Sequence, residues 1–422
     1  MSAPAATVPS AGDRAAPGRI DYAATLDCVH CGLCLPHCPT YQETGRESSS
    51  PRGRIYLMRG VAERRIALDA LVVGEMYDCL ACRACESACP AGVRYGHLVE
   101  SARAEVEERL ARGRLRRALE RLLLRRALAS PLVLRPLMAL LRLYQRSGLQ
   151  RLVRGSRALA LLPGLARAEW LLPELPEPHR PPDVQPAEGE RRGRVGFLTG
   201  CLMPEVLGPA NAATLAALSA NGFEVAVPPG QACCGALHAH GGDPEFAARL
   251  HERNRSAFRD ATLEAVVTNS AGCGATLKGA GDELAARTRD VCEFLVERGL
   301  RAPAGALKLR VAYDDPCHLL HGQKIDSAPR ELLRSIPGLE LIDLPGHRDC
   351  CGAAGTYNLT HPEMSDSLLR RKLEAVRETG VDVVATGNPG CLMQLAAGLR
   401  DAGLSARAAH PVELLAEAYA VR

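Results

Sequence analysis

Four cysteine positions occur twice in the C-terminal half, and no other feature narrows the possible folds as much. Cys201, Cys233, Cys234 and Cys273 recur as Cys317, Cys350, Cys351 and Cys391, at offsets of 116, 117, 117 and 118 residues in a chain of 422. Their settings recur too: the first cysteine closes "FLTGC" and "YDDPC", the adjacent pair opens "CCGA" both times, and the last ends "VVTNSAGC" and "VVATGNPGC". A near-constant offset over four positions marks an internal duplication. Short β-branched runs ("RVGFLTG", "FEVAVP", "LEAVVTNS", "LKLRVAYDD", "LELIDLP", "VDVVATGNPG") alternate with helical patterns such as "PANAATLAALSANG". Such alternation implies α/β units with mainly parallel sheets. Cys201, Cys273, Cys317 and Cys391 then lie just beyond strand ends, where doubly wound sheets collect ligands. Adjacent cysteines in a strand would point to opposite faces. A tight turn would bring both to one site, and Gly235 and Gly352 supply the backbone freedom for it.

The N-terminal part carries eight more cysteines in two runs. "CVHCGLCLPHCP" contains Cys28, Cys31, Cys34 and Cys38, and "CLACRACESACP" contains Cys79, Cys82, Cys85 and Cys89. Both read Cys-x2-Cys-x2-Cys-x3-Cys-Pro, the run with which bacterial ferredoxins bind two [4Fe–4S] clusters. Three thiolates at two-residue spacing let one loop wrap three corners of a cubane, and the fourth must come from elsewhere. In two-cluster ferredoxins it comes from the other run, which would group Cys28, Cys31, Cys34 and Cys89, and Cys79, Cys82, Cys85 and Cys38. Zinc sites more often use ligand pairs separated by a long loop. In the duplicated half, four thiols per copy suffice for one or two further iron–sulfur clusters; a vicinal disulfide and simple burial are the alternatives. Cys292 alone is left over and reads as a buried helical thiol.

The remaining features place these sites in a protein. Apolar residues are 47% and charged residues 24%, ordinary for a folded chain. Seventeen cysteines with no secretory h-region in "MSAPAATVPSAGDRAAPGR" argue for metal or redox chemistry in a cytoplasmic protein. No apolar stretch approaches a membrane span of roughly 20 residues. Residues 20–100 form the expected two-cluster, α-helical ferredoxin-type domain, with a helix through Ile55, Met58, Val61 and Ile66 after the start signal "SSSP". Residues 101–172 form a basic helical segment, with breaks expected near Pro131, Pro136 and Gly148. Within 101–160 stand fifteen Arg against four Glu, a local +11 in a chain of net +4. That face is either solvated or docks on anionic lipid or an acidic subunit. Six prolines between 173 and 186 make 173–193 a stiff linker without regular structure. The two copies of the α/β unit are expected at 194–300 and 308–422, giving an α+β multidomain chain.

His238 and His240 stand beside one cysteine pair, and Asp314, Asp315, His318 and His321 around Cys317. A Cys–His couple can be nucleophile and base, but the four histidines read better as donors to cluster sulfurs. No catalytic residue is assigned. No Gly-x-Gly-x-x-Gly opens a helix after a strand, and "GCGATLKGAG" lacks the Lys-Ser/Thr of a phosphate loop. A chain with clusters but no flavin or nicotinamide site passes single electrons while a partner oxidises the organic substrate.

Over nearly its whole length the chain resembles the iron–sulfur subunit of glycolate oxidase (glycolate dehydrogenase). The likeness rests on "CVHCGLCLPHCPTYQETGRESSSPRGRIYLM", "DDPCHLLHGQKI" and "ATGNPGCLMQLAAGL". Iron–sulfur subunits of anaerobic glycerol-3-phosphate dehydrogenase, lactate-utilisation proteins and the heterodisulfide reductase subunit with CCG domains are similar. The resemblance implies a complex in which FAD-bearing subunits oxidise glycolate or D-lactate to glyoxylate or pyruvate. This subunit would be inactive alone and relay electrons toward a membrane quinone, peripheral on the inner face of the cell membrane. Heterodisulfide reductases end each CCG repeat in Cys-x-x-Cys. Here Ser270 and Asn388 replace the first of those cysteines, which counts against thiol–disulfide chemistry as the alternative.

Overall fold

The computed structural model describes residues 18–109, 125, 129–156, 159 and 162–421. The tail at 1–17 and most of the basic segment between 110 and 128 lie outside the described residues.

The N-terminal domain is helical. Helix α1 (Pro51–Ala62) starts where Ser50 accepts a hydrogen bond from the Gly53 N–H and Pro51 takes the first position, whose N–H is unpaired in any helix. It buries Ile55, Met58 and Val61 against Val72, Met76, Leu98 and Val99, the last two from α2 (Tyr95–Arg109). Ile66, expected on the same helix, follows Arg64 at φ 59° and folds back onto the core from outside it.

Helices α3 (Pro131–Arg146) and α4 (Leu149–Ser156) follow, separated at Gly148, φ +79°. Pro136 does not break α3. Its ring removes only the hydrogen bond to the Leu132 carbonyl, and Leu132 is 86% exposed, so water can satisfy the freed oxygen. The Pro-rich stretch is not wholly irregular either. Its residues Val184–Gln185 form a short strand, β1, antiparallel to the strand Phe223–Ala226, and an antiparallel edge strand with one free flank tolerates neighbouring prolines.

The duplicated half contains two sheets of the same plan. Strands β2 (Gly193–Leu198), β3 (Phe223–Ala226), β4 (Ala265–Thr268) and β5 (Thr288–Asp290) lie in the order β3-β2-β4-β5, with β1 added at the β3 edge. Strands β6 (Arg310–Tyr313), β7 (Glu340–Ile342), β8 (Val383–Ala385) and β9 (Arg407–Ala409) lie in the equivalent order β7-β6-β8-β9. Every pairing within these two quartets is parallel, as the alternating pattern predicts. The duplication therefore extends from cysteines to topology.

Each copy has a core cluster of its own, around Phe258 and Leu277 in the first and Leu369 and Leu395 in the second, and a third cluster spans both. Val195, Phe197, Leu218 and Phe294 of the first pack in one cluster with Val311, Tyr313, Leu332 and Leu415 of the second. The helices Gly208–Ala220 and Pro411–Ala420 meet at this junction, where Asn221 Nδ2 donates to the Tyr419 hydroxyl at 2.9 Å.

Candidate metal centres

Each ferredoxin-type run owes its shape to two left-handed residues at matched positions. His30 (φ 56°) and Gly32 (φ 85°) flank Cys31, and Ala81 (φ 52°) and Arg83 (φ 64°) flank Cys82. Three of these four are not glycine, and each such residue costs roughly 1–2 kcal/mol. Each loop thereby turns twice in seven residues, and in the second run this aims Cys79, Cys82 and Cys85 at one space. The Ala81 N–H donates to Cys79 Sγ at 3.3 Å.

Cys38, Cys79, Cys82 and Cys85 line a single recess, together with Thr40, Arg54 and Tyr95. All four are buried, and burial raises the Cys82 and Cys85 thiols well above their ordinary value. A metal must displace those protons to bind. Arg54, fully buried, sets a fixed cation beside them, with Nη1 on Thr40 Oγ1 at 3.0 Å and Nε on the Glu75 carbonyl at 2.6 Å. Four inward thiols, an amide donor and a buried cation suit an anionic cluster. Cys28, Cys34 and Cys89 pack half-buried on the same core, and Cys31 is exposed.

In the duplicated half the topology brings the cysteines together. Cys201 follows β2 and Cys273 follows β4, adjacent central strands whose connections depart in opposite directions, so a crevice opens at their carboxyl ends. The pair from the β3 connection completes the group. Cys201, Cys233, Cys234 and Cys273 form a chain of thiol hydrogen bonds. Cys317, Cys350, Cys351 and Cys391 form another, with Cys351 and Cys391 sulfurs 3.0 Å apart. No adjacent pair is joined as a disulfide. Both pairs turn through a left-handed glycine, Gly235 at φ +89° and Gly352 at φ +85°. A Cβ on Gly352 would lie 2.7 Å from the Ser365 carbonyl oxygen.

Proton sharing polarises these ladders. Hydrogen bonds from Cys201 and Cys234 pull the Cys233 thiol down to about 3. In the second site hydrogen bonds from neighbouring thiols push Cys317 and Cys351 down, while Cys350 and Cys391 go up. Thiolates are thus held ready next to thiols whose protons a metal would expel. Among the described residues no three thiol, imidazole or carboxylate groups surround a single-ion position.

The four histidines divide. His318 Nδ1 lies 3.5 Å from Cys317 Sγ. His238 is buried edge-on to Phe246 and near Cys233. His240 and His321 instead reach the N-terminal domain, His240 Nδ1 to Glu100 at 2.7 Å and His321 Nδ1 to Ser87 Oγ at 2.9 Å. Ser270 and Asn388, where a fifth cysteine would stand, are the N-caps of the helices Ala271–Gly279 and Pro389–Asp401. Asn388 Nδ2 lies 3.6 Å from Cys391 Sγ, and its Oδ1 accepts from the Gly272 N–H at 3.1 Å.

Three residues of these surroundings carry no sequence signal. Lys372, 2% exposed, pairs with Asp314 and faces Cys351. Burial pushes Asp314 up to about 7 even so. Arg54 and Arg103 are also buried. Arg103 joins the domains, with Nε on the Met76 carbonyl at 3.0 Å and Nη1 on the His240 carbonyl at 2.9 Å. The N-terminal and duplicated parts also meet through cysteines: Cys82 and Cys317 lie within electrostatic reach of each other. Cys82, Cys317, Cys350 and His321 line one cleft.

Comparisons with known proteins agree with this layout. A family model described as a 4Fe-4S dicluster domain matches residues 24–93. One described as a cysteine-rich domain matches twice, at 195–278 and 311–396. A third, described as the glycolate oxidase iron-sulfur subunit linker region, matches 115–172. The chain is 40% identical to the probable glycolate oxidase iron-sulfur subunit of Bacillus subtilis over 423 residues, 95% of each chain. It is 33% identical to the glycolate oxidase iron-sulfur subunit of Escherichia coli, over 88% of this chain and 90% of that one. It is 39% identical to a fumarate reductase (CoM/CoB) subunit of Methanothermobacter marburgensis over 231 residues, 54% of this chain and 46% of that one.

Proposed function

This chain belongs to the family of glycolate oxidase iron–sulfur subunits, and from that premise we propose that it relays electrons from FAD-containing partner subunits to a quinone. The partners would oxidise glycolate to glyoxylate, or D-lactate to pyruvate, with two electrons and two protons leaving each substrate molecule. A flavin on the partner subunits would supply two-electron chemistry, and this chain would hand the electrons on singly. Iron–sulfur clusters supply one-electron storage without a bound proton.

Within the chain we assign Cys28, Cys31, Cys34 and Cys89 to one [4Fe–4S] cluster and Cys79, Cys82, Cys85 and Cys38 to the other. The two CCG ladders are assigned as a further pair of cluster sites. The single observation that carries an ordered route is the approach of Cys82 to Cys317. It puts the buried ferredoxin-type ligands beside the second ladder, while exposed Cys31 leaves the other set at the surface, with Val29 and Leu33 standing 68% and 56% exposed beside it. Electrons would enter at that surface set and reach the second ladder through the buried one. Arg54 and the Ala81 amide favour the more negative, reduced charge state.

Anaerobic mixing tests this. Glycolate should reduce the chain's clusters, read by EPR, only when the FAD-containing subunits are present, and the chain alone should turn over neither glycolate nor lactate. Reduction by glycolate without those subunits, or none with them under dithionite-reducible conditions, would overturn the reading.

A further inference from the structure

The insert between the two halves presents a face that the electron route does not use. On α3, Leu134, Met138 and Arg142 turn inward. Leu134 and Met138 pack with Leu175 and Val206, and Arg142 pairs with Glu205 at 2.9 Å. The outward side of a surface helix is ordinarily polar. Here it carries Leu132, Leu137, Leu140 and Leu143, exposed by 86, 42, 63 and 62%. At 3.6 residues per turn they share a sector of about 140° along roughly 16 Å of helix. Leu149 and Leu152 of α4 extend the surface, 48% and 68% exposed.

Cations predominate beside this face, although Arg142, Arg146 and Arg154 pair with Glu205, Glu177 and Glu169 from neighbouring segments. Between Glu120 and Glu169 the sequence contains ten Arg and no Asp or Glu. Arg135 and Arg151 are exposed and make no ion pair among the described residues. Contiguous exposed apolar surface marks an interaction site. A leucine face edged by arginines is the pattern of a helix lying in the plane of an anionic bilayer, leucines in the acyl boundary and guanidinium groups at lipid phosphates. Among the described residues no helix is long and apolar enough to cross a membrane, so such contact is lateral.

We propose that α3 and α4 form a docking face for an anionic lipid surface. Exposed leucines flanked by the unpaired, exposed Arg135 and Arg151 favour an anionic bilayer over a protein, whose surface would meet this face with charges of both signs. The proposal is independent of which substrate the partner subunits oxidise.

Vesicle flotation of the full-length, cluster-loaded protein tests it, with phosphatidylcholine alone and phosphatidylcholine mixed with phosphatidylglycerol. The wild type should float with the anionic vesicles, and raised salt should weaken it. The variant Leu132→Gln/Leu140→Gln/Leu143→Gln should lower the bound fraction roughly tenfold or more. It should keep the cluster absorbance, because all three side chains are exposed. Arg135→Gln/Arg151→Gln should weaken binding to the anionic vesicles alone. Absence of wild-type binding, or binding that the leucine variant leaves unchanged, overturns the proposal. So does a leucine variant that floats normally but no longer associates with FAD-containing subunits, since the face is then a protein interface.

Discussion

Arg54 shows at the scale of one residue how the N-terminal domain is tied to its chemistry. Its guanidinium is fully buried, bonded to Thr40, Ser49 and the Glu75 carbonyl, and 3.6 Å from the Glu75 carboxylate. Arg54→Met would leave the buried Glu75 with only the Ser48 and Ser49 hydroxyls and Arg46 at 4.0 Å, at a cost of up to about 3–5 kcal/mol. It would also remove a cation beside Cys38 and Cys79. The variant should therefore unfold at lower urea in anaerobic titrations, and one ferredoxin-type EPR signal should titrate at a more negative potential than in wild type. Unchanged potentials would show that Arg54 is purely structural. Burial of an arginine at this position is not readable from "SSSPRGRIYLM", where it looks like one basic residue among several. The glycines were readable: a pair of cysteines followed by Gly demands a left-handed turn, and Gly235 and Gly352 adopt it.

Between elements, His410 is the informative side chain. It caps the helix Pro411–Ala420, Nδ1 accepting from the Val412 N–H at 3.1 Å, and its Nε2 donates to the Asn269 carbonyl at 3.0 Å, joining the two copies. Accepting at one nitrogen while donating at the other requires the neutral ring, and burial pulls its pKa from 6.5 down to about 4. The unfolded chain therefore binds this proton first as pH falls. Its contribution is full above about pH 6.5 and is lost as pH drops through about 4, a change on the order of 3 kcal/mol. Asp290 opposes it. Burial raises this carboxyl to about 7, so its contribution is present below about 4 and lost as pH rises through 7. His410→Asn keeps a capping side chain. The stability advantage of wild type over this variant, from anaerobic urea midpoints, should shrink between pH 7 and pH 5; a constant difference would refute the assignment. Neither β5 nor β9 is legible in the sequence. "TRD" and "RAA" are too short to show a period, and only the exposed edges of β4 and β8 make strands of them. The longer strands showed themselves because burial on both faces demands continuous apolar runs.

For the whole molecule the decisive approach brings residues 235 positions apart, Cys82 and Cys317, to one cleft. If electrons pass there, Cys317→Ser should leave the ferredoxin-type EPR signals intact under dithionite while glycolate-driven reduction of a quinone analogue by the assembled complex falls roughly tenfold or more. Wild-type turnover would exclude the second ladder from the route. Composition, cysteine grammar and the doubled spacing determined the fold class and the two matching α/β plans, because cysteine spacing within a loop and strand–helix alternation are local properties of the chain. Local pattern does not encode which of these pieces meet. The shared core of the two copies, the buried Arg54, Arg103 and Lys372, the His410 bridge and the nearness of Cys82 to Cys317 all arise from long-range packing. A residue's surroundings there are set by segments far away in sequence, and burial converts ordinary polar side chains into fixed charges and matched hydrogen bonds.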